Sequence, residues 1–150
     1  MAQYLIRSVL TGAVSIALAA SIGVAGPVKL SPEEARRAAW HALNNNRPHI
    51  TLELAQAMQQ RSPQDFEVAL LKAEALRSMQ RPKESLKAAK AAWTLAQEQG
   101  HRFDAAHLMA KTHFANGHTA RSQFWLRRAS QLAPNDGAKA LAKRDFKYVR

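Results

Sequence analysis

Residues 103–134 read FDAAHLMAKTHFANGHTARSQFWLRRASQLAP, two helical patterns of similar length about a turn. Its first half places Ala106, Met109, Ala110, His113 and Phe114 at spacings of three and four, which builds one face of a helix. Its second half does the same with Phe124, Trp125, Ala129 and Leu132. Asn116-Gly117 separates the two. Glycine suits the left-handed position that closes a helix, and Pro134 cannot continue one. The stretch is a helical hairpin.

The same plan recurs on both sides of it. Ser31-Pro32-Glu33-Glu34 is a helix start, with a capping hydroxyl, a proline at the first position and acids at the positive end of the helix. That helix runs through Ala35, Ala38, Ala39 and Ala42 to Asn44-Asn45-Asn46. A second spans about Pro48 to Gln60 and ends at Ser62-Pro63. The next pair starts near Gln64, with Phe66, Ala69, Leu70, Ala73, Leu76 and Met79 on one face. It turns at Gln80-Arg81, restarts at Pro82 and runs to about Gln99-Gly100. After Pro134, Asn135 or Asp136 caps a last helix from about Gly137 to Tyr148.

The pairs superpose. Small residues recur at Ala39, Ala73 and Ala110 in the first helices, and Met58, Ala92 and Ala129 share a register in the second. Ala39 and Ala73 are 34 positions apart and Ala73 and Ala110 are 37 apart, so about three extra residues fall around Glu98–His101. A 34-residue period of paired helices is the tetratricopeptide signature. From about Ser31 to Pro134 the chain resembles that family, best in the third unit through Ala110, Gly117, Ala129 and Pro134. Thr51, Ser85 and Ser122 stand where the family usually has alanine, and its first-helix aromatic pair is largely absent. Sel1-like repeats share the same plan. The expectation is an all-α, right-handed α-solenoid: about three helix pairs over 27–136, then a basic capping helix over 137–150.

Composition agrees. Of the 150 residues, 47% are apolar but only 7% aromatic, and alanine dominates, which favours close-packed helices. Few β-branched residues follow Pro27, so a sheet is not expected. With no cysteine there are no disulfides, thiolate metal sites or cysteine nucleophiles.

Residues 1–26 differ from the rest. They hold one positive charge, Arg7, no acid, and an apolar run from Val9 to Ala20 followed by small residues. This is the plan of a secretory signal peptide, with cleavage points after Ala20 or Ala25. An uncleaved anchor helix is the other reading, although the run is shorter than the roughly 20 residues that cross a bilayer. The predicted location is periplasmic. No cysteine follows the run, which excludes a bacterial lipoprotein.

The formal charge is +11, from 22 Lys and Arg against 11 Asp and Glu. Such a balance attracts anions. For an exported chain the expected counterpart is an acidic protein face or an anionic lipid surface, not nucleic acid.

Six histidines (His41, His49, His101, His107, His113 and His118) form no metal-binding spacing. There is no nucleophile elbow and no glycine-rich phosphate loop. Neither an enzyme, a cofactor, a metal site nor a small-molecule substrate is expected.

The resemblance implies that the first helix of each pair lines an inner groove where partner peptides dock. By the repeat register the candidate residues are Arg36, Trp40 and Asn44, then Glu74 and Arg77, then His107, Lys111 and Phe114. Arg36, Arg77 and Lys111 would form a stripe able to hold a carboxylate. The second candidate is the tail, where Lys139, Lys143, Arg144, Lys147 and Arg150 interleave with Phe146, Tyr148 and Val149, as suits an anionic membrane surface. The RDFKYVR ending is also similar to the periplasmic segment of surface lipoprotein assembly modifier proteins.

The predicted function is a non-catalytic exported scaffold that binds another envelope protein. The alternative is a peripheral binder of anionic membrane or lipopolysaccharide.

Overall fold

Ser31 opens the first helix by accepting a hydrogen bond from the Glu34 amide, while Glu34 reaches back to the Ser31 amide at 2.8 Å. The computed structural model describes residues 14–16 and 28–149. Within them lie seven helices: α1 (Pro32–Asn44), α2 (Pro48–Arg61), α3 (Phe66–Ser78), α4 (Pro82–Leu95), α5 (Gln99–Ala115), α6 (Thr119–Leu132) and α7 (Asp136–Tyr148). Three hairpins, α1/α2, α3/α4 and α5/α6, stack in sequence order, and first helix meets first helix across each junction. One amphipathic hairpin cannot bury its apolar face alone, and the next hairpin covers it.

Each hairpin turns by the same device. Asn46, Gln80 and Gly117 adopt positive φ, at 55°, 57° and 74°. The amide after each reaches back five residues, Arg47 to Ala42, Arg81 to Leu76 and His118 to His113. The amides of Asn46, Gln80 and Gly117 bond the carbonyls three residues back. These are three Schellman closures, and Pro48 and Pro82 then open α2 and α4 at once.

Within each hairpin a buried hydroxyl joins the two helices. Thr51 Oγ1 donates to the Ala39 carbonyl at 3.1 Å, Ser85 Oγ to Ala73 at 2.8 Å, and Ser122 Oγ to Ala110 at 2.9 Å. All three hydroxyl residues are fully buried. The positions that departed from the family's alanine are therefore an inter-helix bond repeated three times. The alanines they meet are themselves buried, so the backbones approach closely enough for a short side chain to bridge them.

The core is centred on α3, α4 and α5, with Leu70, Leu76, Leu108 and Met109 among many alanines, and Trp40, Trp93 and Trp125 against its edges. Trp93 and Trp125 meet edge to face at 4.9 Å. At the C-terminal end α7 buries Ala142 against Phe103, Ala106 and Ala129, and so covers the last hairpin.

Three features differ from expectation. Val14–Ile16 (β1) pairs antiparallel with Val28–Leu30 (β2), a short strand pair ahead of the helices. The rest of the 1–26 leader lies outside the described residues. The middle pair ends at Leu95, not near Gly100; Gln99 and Gly100 instead begin α5, whose 17 residues exceed the 13 of α1 and α3. The extra spacing is thus an added helical turn. Phe124 is 57% exposed, because the buried stripe of α6 runs Ser122, Leu126 and Ala129 and leaves position 124 on the outer side.

Candidate functional site

The stacked first helices present a shared concave surface. α1 supplies Trp40, α3 supplies Phe66, Glu67, Leu70 and Glu74, and α5 supplies His101, Asp104, His107 and Lys111. Helical spacing puts residues three and four apart on one face, so α3 and α5 each contribute a short column, beside the single Trp40 of α1. Together they line an open concavity of about 270 Å³. One wall is aromatic: the Phe66 and His101 rings stack at 4.2 Å and 18°.

Charge in this site is largely paired. Glu74 receives Arg77 at 2.8 Å on its own helix and the Lys111 ammonium from the neighbouring one. Burial pushes the Glu74 carboxyl up, but Lys111 and Arg77 together outweigh it and hold the group below the ordinary carboxylate range. Arg36 pairs with Asp65 at 2.9 Å and Glu67 at 3.4 Å. His107 Nε2 meets Asp145 of α7 at 2.7 Å. Burial pushes the imidazole down from its ordinary value, further than Asp145 can restore it, so at neutral pH a neutral ring donates to the carboxylate. Asp104 forms no hydrogen bond or ion pair with any described residue, and burial raises its carboxyl against the opposing pull of His101, His107 and Lys111.

Of the residues expected from the sequence, Trp40, Glu74, His107 and Lys111 meet in this concavity. Arg36 is turned toward the α2–α3 connection, beside Arg61, Ser62 and Asp65. Arg77 is held against Glu74. Asn44 is exposed at the end of α1. Phe114, 52% exposed, belongs to a separate hollow of about 170 Å³ with Leu126, Tyr148 and Val149. Arg36, Arg77 and Lys111 do not form a stripe of free cations, because each already faces a carboxylate.

Phe66 and His101 were missed. Phe66 reads as a core residue, which it also is, and His101 belongs to the added turn that the sequence register left out of α5.

On α7, Lys139, Lys143, Arg144 and Lys147 are exposed, while Asp145 turns inward to His107. Arg150 lies outside the described residues. Phe146 sits beneath the Arg127 guanidinium at 5.6 Å. Among the described residues no group of three or more His, Asp or Glu is placed to hold a metal, and no helix is long and apolar enough to cross a membrane.

No protein-family model matches the sequence, and no curated protein matches it. The architecture does have a solved counterpart. The NMR structure of the first TPR domain of the human RPAP3 protein superposes with a TM-score of 0.65, covering 77% of this chain and 88% of that one at 12% identity. The chain has the tetratricopeptide repeat fold. At that identity the likeness concerns the fold alone, carried by the paired helices and their shared turns. The tetratricopeptide arrangement accounts for the concave face as the place where α1, α3 and α5 stand side by side. Nothing in these comparisons shows the likeness to surface lipoprotein assembly modifier proteins.

Proposed function

We propose that this protein is a non-catalytic, exported scaffold of the bacterial envelope, which holds a segment of another protein along its concave face. The observation that carries this reading is the concavity itself. Three successive first helices line it, with aromatic side chains from all three repeats and charged groups from the second and third, in a fold whose repeats leave that face uncovered. The leader-like residues 1–26 support export.

The test is site-specific photo-crosslinking in the native host. A crosslinker replaces Glu67, at the edge of the concavity, and in a second strain Lys90, exposed on α4. One discrete adduct from position 67, absent from position 90 and lost with Trp40→Ala, is the expected result. Equal adducts from both positions, or none at 67, would refute the groove assignment. Fractionation with mass measurement tests export: the reading needs a periplasmic form lacking about 20–25 residues.

One arrangement favours a second reading, attachment to an anionic membrane or lipopolysaccharide. Lys139, Lys143 and Lys147 follow one another at intervals of four along α7, exposed and without an ion pair to any described residue. Co-sedimentation with anionic vesicles, lost at high salt, would establish it.

A further inference from the structure

The charges expected in the groove from the sequence and those the structure leaves unpaired have opposite sign. Arg36 is engaged by Asp65 and Glu67, and Arg77 and Lys111 both by Glu74. No described guanidinium or ammonium in the concavity is left for an incoming carboxylate. Such a group would instead meet Glu67, Glu74 and Asp104. Asp104 is the carboxylate that the internal pairing does not reach. It shares the hollow with Trp40, Phe66 and His101, and the last two stack face to face, Phe66 buried and His101 half-buried. The neighbouring His107 is committed to Asp145 and does not supply the missing charge.

An unpaired carboxylate beside aromatic faces matches one kind of group. A guanidinium is planar, always charged and weakly hydrated, so it can bond a carboxylate through two parallel N–H groups while its face lies on a ring. An ammonium offers the charge without the planar match. The hollow, about 270 Å³ and open on one side, has room for one long side chain entering from a bound segment.

We propose that this concavity is a receptor pocket for a basic side chain, arginine above all, with Asp104 receiving the guanidinium and the Phe66–His101 wall and Trp40 flanking it. The inference rests on the reading that a partner segment lies along the concave face, and it fixes the charge of that segment's anchor.

The experiment uses the full chain, uniformly 15N-labelled, titrated with N-acetyl-arginine N-methylamide and, separately, N-acetyl-glutamate N-methylamide. The reporters are the Trp40 indole N–H and the backbone amides of residues 101–107. The arginine probe is expected to give saturable shifts at these reporters, at least tenfold weaker in Asp104→Asn, and the glutamate probe none. Asp104 is on the solvent side of α5 and unpaired, so Asp104→Asn retains the fold, and the unchanged spread of the remaining amide resonances verifies it. Trp40→Leu must also weaken the arginine response. Equal shifts from the glutamate probe, or arginine shifts unaffected by Asp104→Asn, overturn the proposal. Crosslinking from position 67 keeps the two readings apart. If the adduct persists in Asp104→Asn while the arginine probe fails to bind, the groove stands and the basic anchor falls. If the adduct never forms in the wild-type background, the groove reading itself has failed.

Discussion

Replacing Ser85 by alanine tests whether the buried hydroxyls hold the hairpins together, and the three copies do not predict equal effects. Ser85 Oγ has one proton, which it gives to the Ala73 carbonyl at 2.8 Å. It also lies 3.3 Å from Thr112 Oγ1 on α5. With the Ser85 proton already committed, Thr112 must be the donor in that contact. Ser85→Ala thus removes one bond, worth about 1 kcal/mol, and strands the Thr112 hydroxyl in a fully buried site at about 1–3 kcal/mol. Alanine recovers about 0.5 kcal/mol of helix propensity. The Ala73 carbonyl keeps its intrahelical partner and adds no penalty. The expected loss is about 1.5–3.5 kcal/mol.

Ser122 differs in one respect. It bonds Ala110 at 2.9 Å and shows no second hydroxyl contact among the described residues, so Ser122→Ala costs only about 0.5 kcal/mol. Thr112→Val added to Ser85→Ala removes the stranded donor, and the double variant loses no more than Ser85→Ala alone. Urea unfolding followed by helical circular dichroism, with midpoints compared at constant slope, measures all of these. A Ser122→Ala loss as large as that of Ser85→Ala would refute the account, as would additive losses in the double variant.

Gly117 and Gln80 occupy equivalent left-handed turn positions, with φ of 74° and 57°. A Cβ at Gly117 would meet nothing within 4 Å, so Gly117→Ala loses only the backbone preference, about 1 kcal/mol, while Gln80→Gly gains about 0.5 kcal/mol; thermal melts of the two variants should move in opposite directions. Leu71 is fully buried between the first two hairpins, and Leu71→Ala should lower stability by about 2–5 kcal/mol in the same urea assay. Burial holds the His107 imidazole below its ordinary value of 6.5 in the folded protein, so the unfolded chain takes up the proton first. Its contribution is complete above 6.5 and is lost as pH falls from there through the folded value. His113, also pushed down by burial, adds a loss of the same sign. Melting temperature should fall on acidification below neutral, and less steeply in His107→Gln; an unchanged slope in that variant would remove His107 from the account.

What the sequence discloses about this fold is local chemistry. The Ser31 cap, the prolines at 48 and 82, Gly117 and the Asn135 cap each act within a few residues, and all are where their side chains or backbone preferences require. The failures come from contacts between distant parts of the chain. Gln99-Gly100 looks like a breaker because glycine is a poor helix former. In the first turn of α5 that weakness costs little, since packing against α4 and α6 sets the helix. The β1–β2 pairing joins segments that no local pattern links. The hydroxyls at 51, 85 and 122 were legible as a repeated departure, but their role depends on a carbonyl in the other helix of the hairpin.

The candidate site was legible as a face and not as a charge. Register places Arg36, Arg77 and Lys111 on the first helices, but it cannot say which carboxylate a long side chain reaches. Arg36 finds Asp65 from 29 positions away, and Lys111 finds Glu74 from 37. A net charge of +11 therefore does not predict the polarity of the groove. α6 carries Arg121, Arg127 and Arg128 without an acid, and the exposed side of α7 carries Lys139, Lys143 and Lys147. The cations in and beside the concavity are instead matched by Asp65, Glu67 and Glu74, with Asp104 left over. Long-range attraction follows the summed field, whereas selectivity follows groups within hydrogen-bond reach. The two can have opposite signs in one molecule. Raising ionic strength should then separate them: it weakens whatever the basic α6 and α7 surfaces attract over distance, and it has a smaller effect on a guanidinium bonded directly to Asp104 and packed against the aromatic side chains of the hollow.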